Sequence, residues 1–344
     1  MVQWTRRSFL AAAAGAALQQ ARLLLALDAN ADRAPSPSLK DLIRHPLLTR
    51  SVYHLPVSRD YSEDGAAGTN RESYRWIEEQ RQGAEWIVRG VALGRADWIE
   101  LGWRELDWGL RQQKADGGFD SQDAFHSTSF FVEALGRSCL LDPAGANAQR
   151  TAGLARGARW LMSPAAEARG LSGNAPFTHR RYILAATFGE AARVTGEASF
   201  ARRATAWAEE GIALQQADGT NPERGGFDVS YQMVGVLMAL RYLPVCDDAE
   251  LRQHLRAMIR KAVAPVLARL QPDGSIDAEG STRVGKEKSR AGIVKTVAYG
   301  EVVQALVYGA QALPQPEWLV PAQQIVTYKR WDAIKATPSA SRQQ

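Results

Sequence analysis

Residues 110–120 read Leu110-Arg-Gln-Gln113-Lys-Ala-Asp116-Gly117-Gly118-Phe119-Asp120, and they predict the end of one helix, a glycine turn and the approach to the next helix. Two later stretches share this pattern. They are Gln216-Ala-Asp218-Gly219, which leads to Gly225-Gly226-Phe227-Asp228, and Gln271-Pro-Asp273-Gly274-Ser275-Ile276-Asp277. Recurrence of one turn at a spacing of about 50 residues, or twice that, indicates an internal repeat. A divergent copy is expected near Gly173-Asn174, as a turn that precedes another helix.

Mostly apolar residues before and between these turns recur at helical spacing. The first stripe consists of Trp76, Ile77, Gln80, Ala84, Ile87 and Val91, and the second of Trp98, Leu101, Leu106 and Leu110. Further helical patterns cover roughly residues 125–140, 150–162, 179–195, 199–216, 230–243, 248–270, 291–312 and 318–334. No alternation of apolar and polar residues indicates a set of strands. One repeat therefore equals one helix pair, and stacked pairs predict an all-α fold: an α/α toroid, complete or incomplete, or an open solenoid.

The first residues carry an export pattern. Thr5-Arg6-Arg7-Ser8-Phe9-Leu10 resembles the twin-arginine motif, an Ala-rich stretch follows, and Ala29-Asn30-Ala31 fits a small-x-small cleavage site. Gln19, Gln20 and Arg22 interrupt the apolar run, which therefore falls short of the roughly 20 apolar residues that a membrane span needs. We predict a periplasmic or secreted protein that meets the twin-arginine translocase during export and keeps no membrane span after cleavage.

The chain divides into four predicted segments. They are a twin-arginine signal peptide at 1–31, an irregular segment at 32–70, a toroid domain at 71–335 and a disordered tail at 336–344.

The composition excludes some classes of partner. The net charge of +5 is small and dispersed along the chain, whereas a nucleic-acid-binding protein concentrates its positive charge on one face. Cys139 and Cys246 lie in or just after apolar helical patterns, so they are expected either as a disulfide formed in an oxidising compartment or as two buried thiols. No residue pattern calls for a metal or another cofactor.

The stretch from Leu110 to Phe119 resembles the Q-x-x-D-G-G-F repeat of the α/α-toroid families. These include alginate- and heparin-type polysaccharide lyases, unsaturated glucuronyl hydrolases and other toroid glycosidases, and terpenoid cyclases. The resemblance covers most of residues 70–312 as architecture and implies that the loops at one rim build the active site. The chain has no D-x-D-D motif of the terpenoid cyclases, and an exported enzyme has little access to prenyl diphosphates. Glycans are therefore the favoured substrates.

Two segments at predicted helix starts supply the catalytic candidates. They are Asn174-Ala-Pro-Phe-Thr-His179-Arg180-Arg181-Tyr182 and Arg224-Gly-Gly-Phe-Asp228-Val-Ser-Tyr231-Gln232. We predict that Asn174 and Arg180 bind a substrate carboxylate, which eases removal of the neighbouring carbon-bound proton. His179 and Tyr231 are the predicted base and acid. These four residues resemble the Asn/His/Tyr/Arg set of the alginate-type lyases, although Asn and His are neighbours in those lyases and five positions apart here.

Further residues at the same rim are predicted to bind substrate. They are Asp120, His126, Arg224, Asp228, Gln232, Asp277 and Lys295. The three aspartates are equally suited to cap the helices that follow them. The polar, basic loop at 277–290 is expected to be either a lid over an anionic sugar chain or a solvated loop, with Lys295 and Tyr299 on the helix after it.

The sequence thus predicts an exported enzyme that acts on an acidic, uronate-containing polysaccharide or oligosaccharide, with β-elimination favoured over hydrolysis. Hydrolysis would require two of the aspartates to act as paired carboxylates across the scissile bond. A toroid that only binds glycan, or serves as a scaffold, is the third interpretation.

Overall fold

The structure is a computed structural model that describes residues 36–53, 62, 64–67, 77–121, 123–288 and 294–328. The predicted export signal and the C-terminal tail lie outside the described residues. Within these ranges every regular element is helical, and backbone bridges of the β type occur only singly, in loops. No helix in the same ranges is long and apolar enough to cross a membrane.

The longer helices form an inner and an outer ring. The inner ring consists of α1 (Gln82–Leu93), α3 (Ala124–Leu141), α6 (His179–Thr195), α8 (Val229–Tyr242) and α10 (Tyr299–Ala312). The outer ring consists of α2 (Ala96–Arg111), α4 (Ala148–Leu161), α7 (Ala198–Ala213), α9 (Ala249–Leu267) and α11 (Leu319–Val326). Between α4 and α6 lies a further helix, α5 (Pro164–Asn174).

Neighbouring inner helices pack side by side in the order α1, α3, α6, α8, α10, and each also packs on the outer helix that follows it. The N-terminal residues fill the gap between α10 and α1. Leu39–Leu42 and Pro46–Leu48 pack on α10, and Thr49–Tyr53 packs on α1. The hydroxyls of Tyr53 and Tyr308 lie 3.1 Å apart across this junction. The fold is therefore the predicted all-α toroid.

The inner helices are buried on nearly every face, as α6 and α8 illustrate. Such helices are apolar or small all round rather than along one stripe. Because each inner helix is followed by an outer helix that runs back beside it, all inner helices begin at the same rim. We call it the loop rim; it comprises residues 112–121, 123, 162–178, 214–228, 268–288 and 294–298.

Short polar side chains start several of these helices. Asn147 accepts a hydrogen bond from the backbone N–H of Arg150 (3.0 Å) at the start of α4. Asp248 accepts two, from Glu250 (2.9 Å) and Leu251 (3.0 Å), at the start of α9. These bonds satisfy backbone donors that have no partner inside the helix.

The repeated Asp-Gly turn docks each outer helix on the next. Gly117, Gly219 and Gly274 all have left-handed backbones, with φ of 97°, 90° and 84°. A Cβ on these glycines would lie 2.2, 2.2 and 2.4 Å from the backbone oxygens of Arg156, Lys261 and Gln324. Those three residues belong to α4, α9 and α11, the next outer helix in each case. The repeat therefore requires glycine both for backbone conformation and for close approach.

Replacing Gly117 with alanine is expected to lower the free energy of unfolding by about 2 kcal/mol, because overpacking against Arg156 adds to the cost of the left-handed backbone. Gly196 is the matched control, since its φ is 76° and no atom lies within 4 Å of a Cβ placed there. Gly196→Ala should cost about 1 kcal/mol, from the backbone alone. Urea unfolding measures both values, and equal losses would contradict the docking role of the turn.

Three sequence expectations differ from the structure. Gly173 and Asn174 do not form a glycine turn: they end helix α5, which Pro164 begins and which replaces the Asp-Gly turn between α4 and α6. The last inner helix begins at Tyr299 rather than near residue 291, so Lys295 lies in the preceding loop. Residues 39–53, predicted to be irregular, form three short helical segments because they fill the gap in the ring.

Cys139 and Cys246 are both free and buried. Burial raises the pKa of the Cys139 thiol to about 12 and also raises that of Cys246. Of the two sequence alternatives, the structure has the pair of buried thiols.

Candidate functional site

His179 is the first residue of α6 and is held by a buried carboxylate. Oε1 of Glu223 lies 2.8 Å from Nδ1 of His179 and accepts the backbone N–H of the same residue at 2.9 Å. Burial lowers the pKa of His179 below its usual value, although Glu223 opposes the shift. The imidazole is therefore neutral at pH 7. Since Nδ1 donates its proton to Glu223, Nε2 carries the lone pair and can act as a base.

Tyr231, in the first turn of α8, lies beside this imidazole. The two ring centroids are 4.7 Å apart. The guanidinium of Arg283 lies 3.6 Å from the centroid of the Tyr231 ring, and the ammonium of Lys295 lies 4.9 Å from it. A phenol and a neutral imidazole thus share one position at the loop rim, and two cations face the phenol ring.

Glu287 gathers the cations around this position. Its Oε2 accepts hydrogen bonds from Nε of Arg283 (2.9 Å) and Nζ of Lys295 (2.7 Å), and its Oε1 lies 2.8 Å from Nε of Arg224. We call these four residues the Glu287 cluster. Burial alone would raise the pKa of Glu287, but hydrogen bonds from Lys295 and Arg283 lower it overall. The cluster is a partly buried concentration of positive charge around one carboxylate.

Arg180 lies next to His179 and is anchored by two side chains. Its Nη1 is 3.1 Å from Oδ1 of Asn174 and 3.4 Å from Oδ2 of Asp123. Its guanidinium also lies 4.5 Å from the Phe177 ring centroid. Asn174 is buried, so it orients Arg180. The predicted role of Asn174 and Arg180 in binding a substrate carboxylate remains a prediction.

Asp228 and Gln232 hold the loops in place. The carboxylate of Asp228 accepts four backbone N–H groups, two from the start of α8 and two from Arg283 and Val284. The side chain of Gln232 accepts the N–H of Asn221 and donates to the carbonyls of Gly219 and Ala262. Both residues are fully buried. Through these bonds, Asp228 aligns Arg283 with Tyr231.

Three other predicted residues make contacts with different neighbours: Asp120, Asp277 and His126. Asp120 is exposed and pairs with Lys114 at 3.0 Å. Asp277 is exposed, and its side chain accepts the N–H of Glu279. His126, in the first turn of α3, contacts the Phe130 ring with centroids 4.6 Å apart. Their predicted binding roles remain predictions.

A network of buried charges joins the inner helices α1, α3 and α8. Arg137 lies 2.9 Å from Glu133 and 3.2 Å from Glu85, and Arg241 lies 3.0 Å and 3.4 Å from the same two carboxylates. Burial would raise the pKa of Glu85, but the two arginines lower it to about 2. Glu133 is the tenth residue of α3, which places it about 14 Å along the helix from the loop rim at 1.5 Å per residue.

Glu190, on α6, differs from the other carboxyl groups of this region. Burial, followed by the charge of Glu133, raises the pKa of Glu190 well above its usual value. Neither of its oxygens has a hydrogen-bond partner within the described ranges. Glu190 is therefore a neutral acid beside a network whose two arginines and two glutamates balance in charge.

Sequence reasoning missed three residues of the site: Glu223, Arg283 and Glu287. Glu223 lies in the extra residues that separate Gly219 from Gly225 in the second repeat loop. Insertions in one copy of a repeat often carry binding residues, so this difference was a usable signal. Arg283 and Glu287 lie in a long loop with no periodicity, where sequence alone does not indicate which charges meet.

No group of three or more His, Cys, Asp or Glu in the described part of the chain is arranged to hold a metal ion. The imidazole of His179 and the phenol of Tyr231 lie together with cations, an arrangement suited to proton transfer on an anionic ligand.

Comparison of the sequence with protein-family models and with curated proteins gave no match. Comparison with solved structures gave the unsaturated glucuronyl hydrolase from Bacillus sp. GL1, described as responsible for the degradation of glycosaminoglycan. The two share 13% sequence identity and superpose with a TM-score of 0.53 over 85% of this chain and 82% of that one. The chain is thus similar in fold to an α/α-toroid enzyme that degrades a glycan.

Proposed function

We propose that this protein is an enzyme that acts on an acidic, uronate-containing glycan and cleaves it by β-elimination. One observation carries the proposal: a neutral imidazole, oriented by the buried carboxylate of Glu223, lies against Tyr231 with Arg283 stacked on the phenol ring. The similarity in fold to a glycan-degrading toroid supports the substrate class.

In the proposed reaction, Arg180 and Arg283 bind the uronate carboxylate and stabilise the negative charge that spreads onto it. Nε2 of His179 removes the proton from the carbon next to the carboxylate. The electron pair forms a carbon–carbon double bond as the bond to the glycosidic oxygen breaks. The hydroxyl of Tyr231 donates a proton to that leaving oxygen. Asn174 contributes by holding Arg180.

Hydrolysis is the second candidate, and Glu301 is the residue that favours it. It lies in the first turn of α10; solvent reaches it, yet protein surrounds it enough that burial, followed by the charge of Glu85, raises its pKa. A raised pKa suits a carboxylic acid to donate a proton to a glycosidic oxygen. Asp228 is less suited to act as its partner, because four backbone donors already occupy the Asp228 carboxylate.

The decisive assay follows ultraviolet absorbance and reducing ends together on a panel of uronate polymers and their oligosaccharides. β-Elimination raises both signals. Cleavage frees a reducing end, and the new double bond absorbs ultraviolet light because it is conjugated with the carboxylate. Reducing ends without a rise in absorbance indicate hydrolysis. Neither signal across the panel, with binding still detectable, would replace the enzyme proposal with a glycan-binding protein.

The pH profile of kcat/KM tests the role of His179. Burial keeps the pKa of His179 below 6.5, so the base is expected to be fully available at pH 7 and to be lost as the pH falls through that lowered pKa. We expect an acidic limb with its midpoint below 6.5. A midpoint at or above 6.5 would contradict the neutral, buried imidazole.

We also propose that the protein is exported before it meets its substrate. The twin-arginine pattern at residues 5–10 supports this proposal. Fractionation of cells that express the full chain, with Arg6 and Arg7 replaced by lysine in the control, measures the location.

A further inference from the structure

Glu287 occupies a position that suits an external anion. Its carboxylate is within 3 Å of nitrogens from Arg224, Arg283 and Lys295. The three cations come from separate parts of the loop rim, and 18% of the Glu287 side chain is exposed. Carboxylates and sulfates are bound in proteins by the same convergence of guanidinium and ammonium groups.

The cations are held in place by bonds other than those to Glu287. Asp228 accepts the backbone N–H of Arg283 (2.7 Å), and the N–H of Gly285 donates to the carbonyl of Lys295 (2.9 Å). Arg224 has a left-handed backbone, with φ of 51°, and its N–H donates to the carbonyl of Pro176. This conformation costs energy in a non-glycine residue, and such residues cluster at functional sites. The backbone at each of the three cationic residues is therefore held by bonds that do not involve the Glu287 carboxylate.

Cations and carboxylates balance around this cluster. Arg180, Arg224 and Arg283 surround the Phe177 ring, with guanidinium carbons 4.5, 5.5 and 4.7 Å from its centroid. With Lys295 they make four cations, which meet the four carboxylates of Asp123, Glu223, Asp228 and Glu287. An external anion would therefore have to displace Glu287 from the donors of Arg224, Arg283 and Lys295.

We propose that Arg224, Arg283 and Lys295 form a subsite for an oxyanion of the substrate, a carboxylate or a sulfate ester, and that Glu287 competes with this group for the subsite. The oxyanion of the ligand takes the place of the Glu287 carboxylate on these three side chains. Glu287 therefore weakens the binding of any anion that makes no other contacts with the protein. The identity of the ligand rests on the proposed function. The exchange itself rests only on the contacts of the Glu287 cluster.

The experiment titrates inorganic sulfate into the folded full-length protein by calorimetry, with chloride exchanged to keep ionic strength constant. Glu287→Gln keeps the shape of the side chain and removes its charge. We expect its Kd for sulfate to be about tenfold lower than that of the wild type, because a partly desolvated competing charge is removed. Adding Arg224→Gln to Glu287→Gln should abolish the gain.

Glu279→Gln is the matched control. Glu279 lies in the same loop and is exposed, and its carboxylate has no ion-pair partner in the part of the chain that the structure describes. The substitution Glu279→Gln removes the same charge as Glu287→Gln and should leave the affinity for sulfate unchanged. An equal gain in Glu279→Gln, or no gain in a folded Glu287→Gln, would overturn the proposal.

Should Glu287→Gln fail to fold, Glu287→Asp replaces it. Aspartate keeps the charge but withdraws it by one methylene, so a smaller gain is expected, and no gain counts against the subsite. Sulfate binding needs no turnover, so the two proposals fail separately. A sulfate gain in a protein inactive on every glycan leaves the subsite standing, and glycan cleavage without the gain leaves the enzyme standing.

Discussion

Replacing Glu133 with glutamine is expected to lower the free energy of unfolding by about 4 kcal/mol, the loss typical of breaking a buried ion pair. Glu133 is 1% exposed and pairs with both Arg137 and Arg241. Burial would raise the pKa of Glu133, but the two arginines lower it, so the carboxylate is charged in the folded protein. The substitution leaves two buried guanidinium groups with Glu85 as their remaining anion.

Glu190→Gln is the matched control for this experiment. Glu190 is buried on the neighbouring inner helix and undergoes the same chemical change, but its raised pKa means that the folded protein already holds it neutral. The loss should therefore be below about 1 kcal/mol. Urea unfolding at pH 7 measures both variants. Similar losses of unfolding free energy would show either that Glu190 is charged or that the ion pairs of Glu133 do not stabilise the fold.

The fold was predictable because its signals are local. Helical spacing is visible within a few turns, and the Asp-Gly turn needs glycine at Gly117, Gly219 and Gly274 for a reason that acts on those residues themselves. Helix α5 was missed because it replaces the turn in one repeat, and a single divergent copy gives no period to recognise. The N-terminal segments were missed because they become helical by filling a gap between α10 and α1, which is a tertiary effect.

The placement of His179 beside Tyr231 followed from the repeat. Each was expected at the start of a helix, and a toroid brings the starts of its inner helices to one rim. The carboxylates of the site could not be placed from the sequence, since Glu223 and Glu287 lie in irregular loops whose path depends on contacts far along the chain. The sequence also carries a signal for the buried ion pairs of Glu133. Charged residues inside helices that are otherwise apolar on every face must pair with one another.

Tyr231→Phe is expected to reduce turnover of the proposed substrate by about 10²- to 10⁴-fold, the usual contribution of a general acid or base. The change removes only the hydroxyl. The ring contacts with His179 and Arg283 remain, and the hydroxyl has no hydrogen-bond partner within the described residues. The free energy of unfolding should therefore stay the same, which separates loss of chemistry from loss of fold.

His179→Gln is expected to cause a loss of the same size, since it removes the base whose Nδ1 is held by Glu223. His254→Gln is its control, because His254 is exposed on outer helix α9. Glu223→Gln, which keeps a hydrogen-bonding oxygen near Nδ1, should lose less activity than His179→Gln and shift the acidic limb of the pH profile to lower pH, because Glu223 raises the pKa of His179. Full turnover in Tyr231→Phe would remove Tyr231 from the mechanism. Full turnover in both Tyr231→Phe and His179→Gln would move the chemistry to Glu301 and with it to hydrolysis.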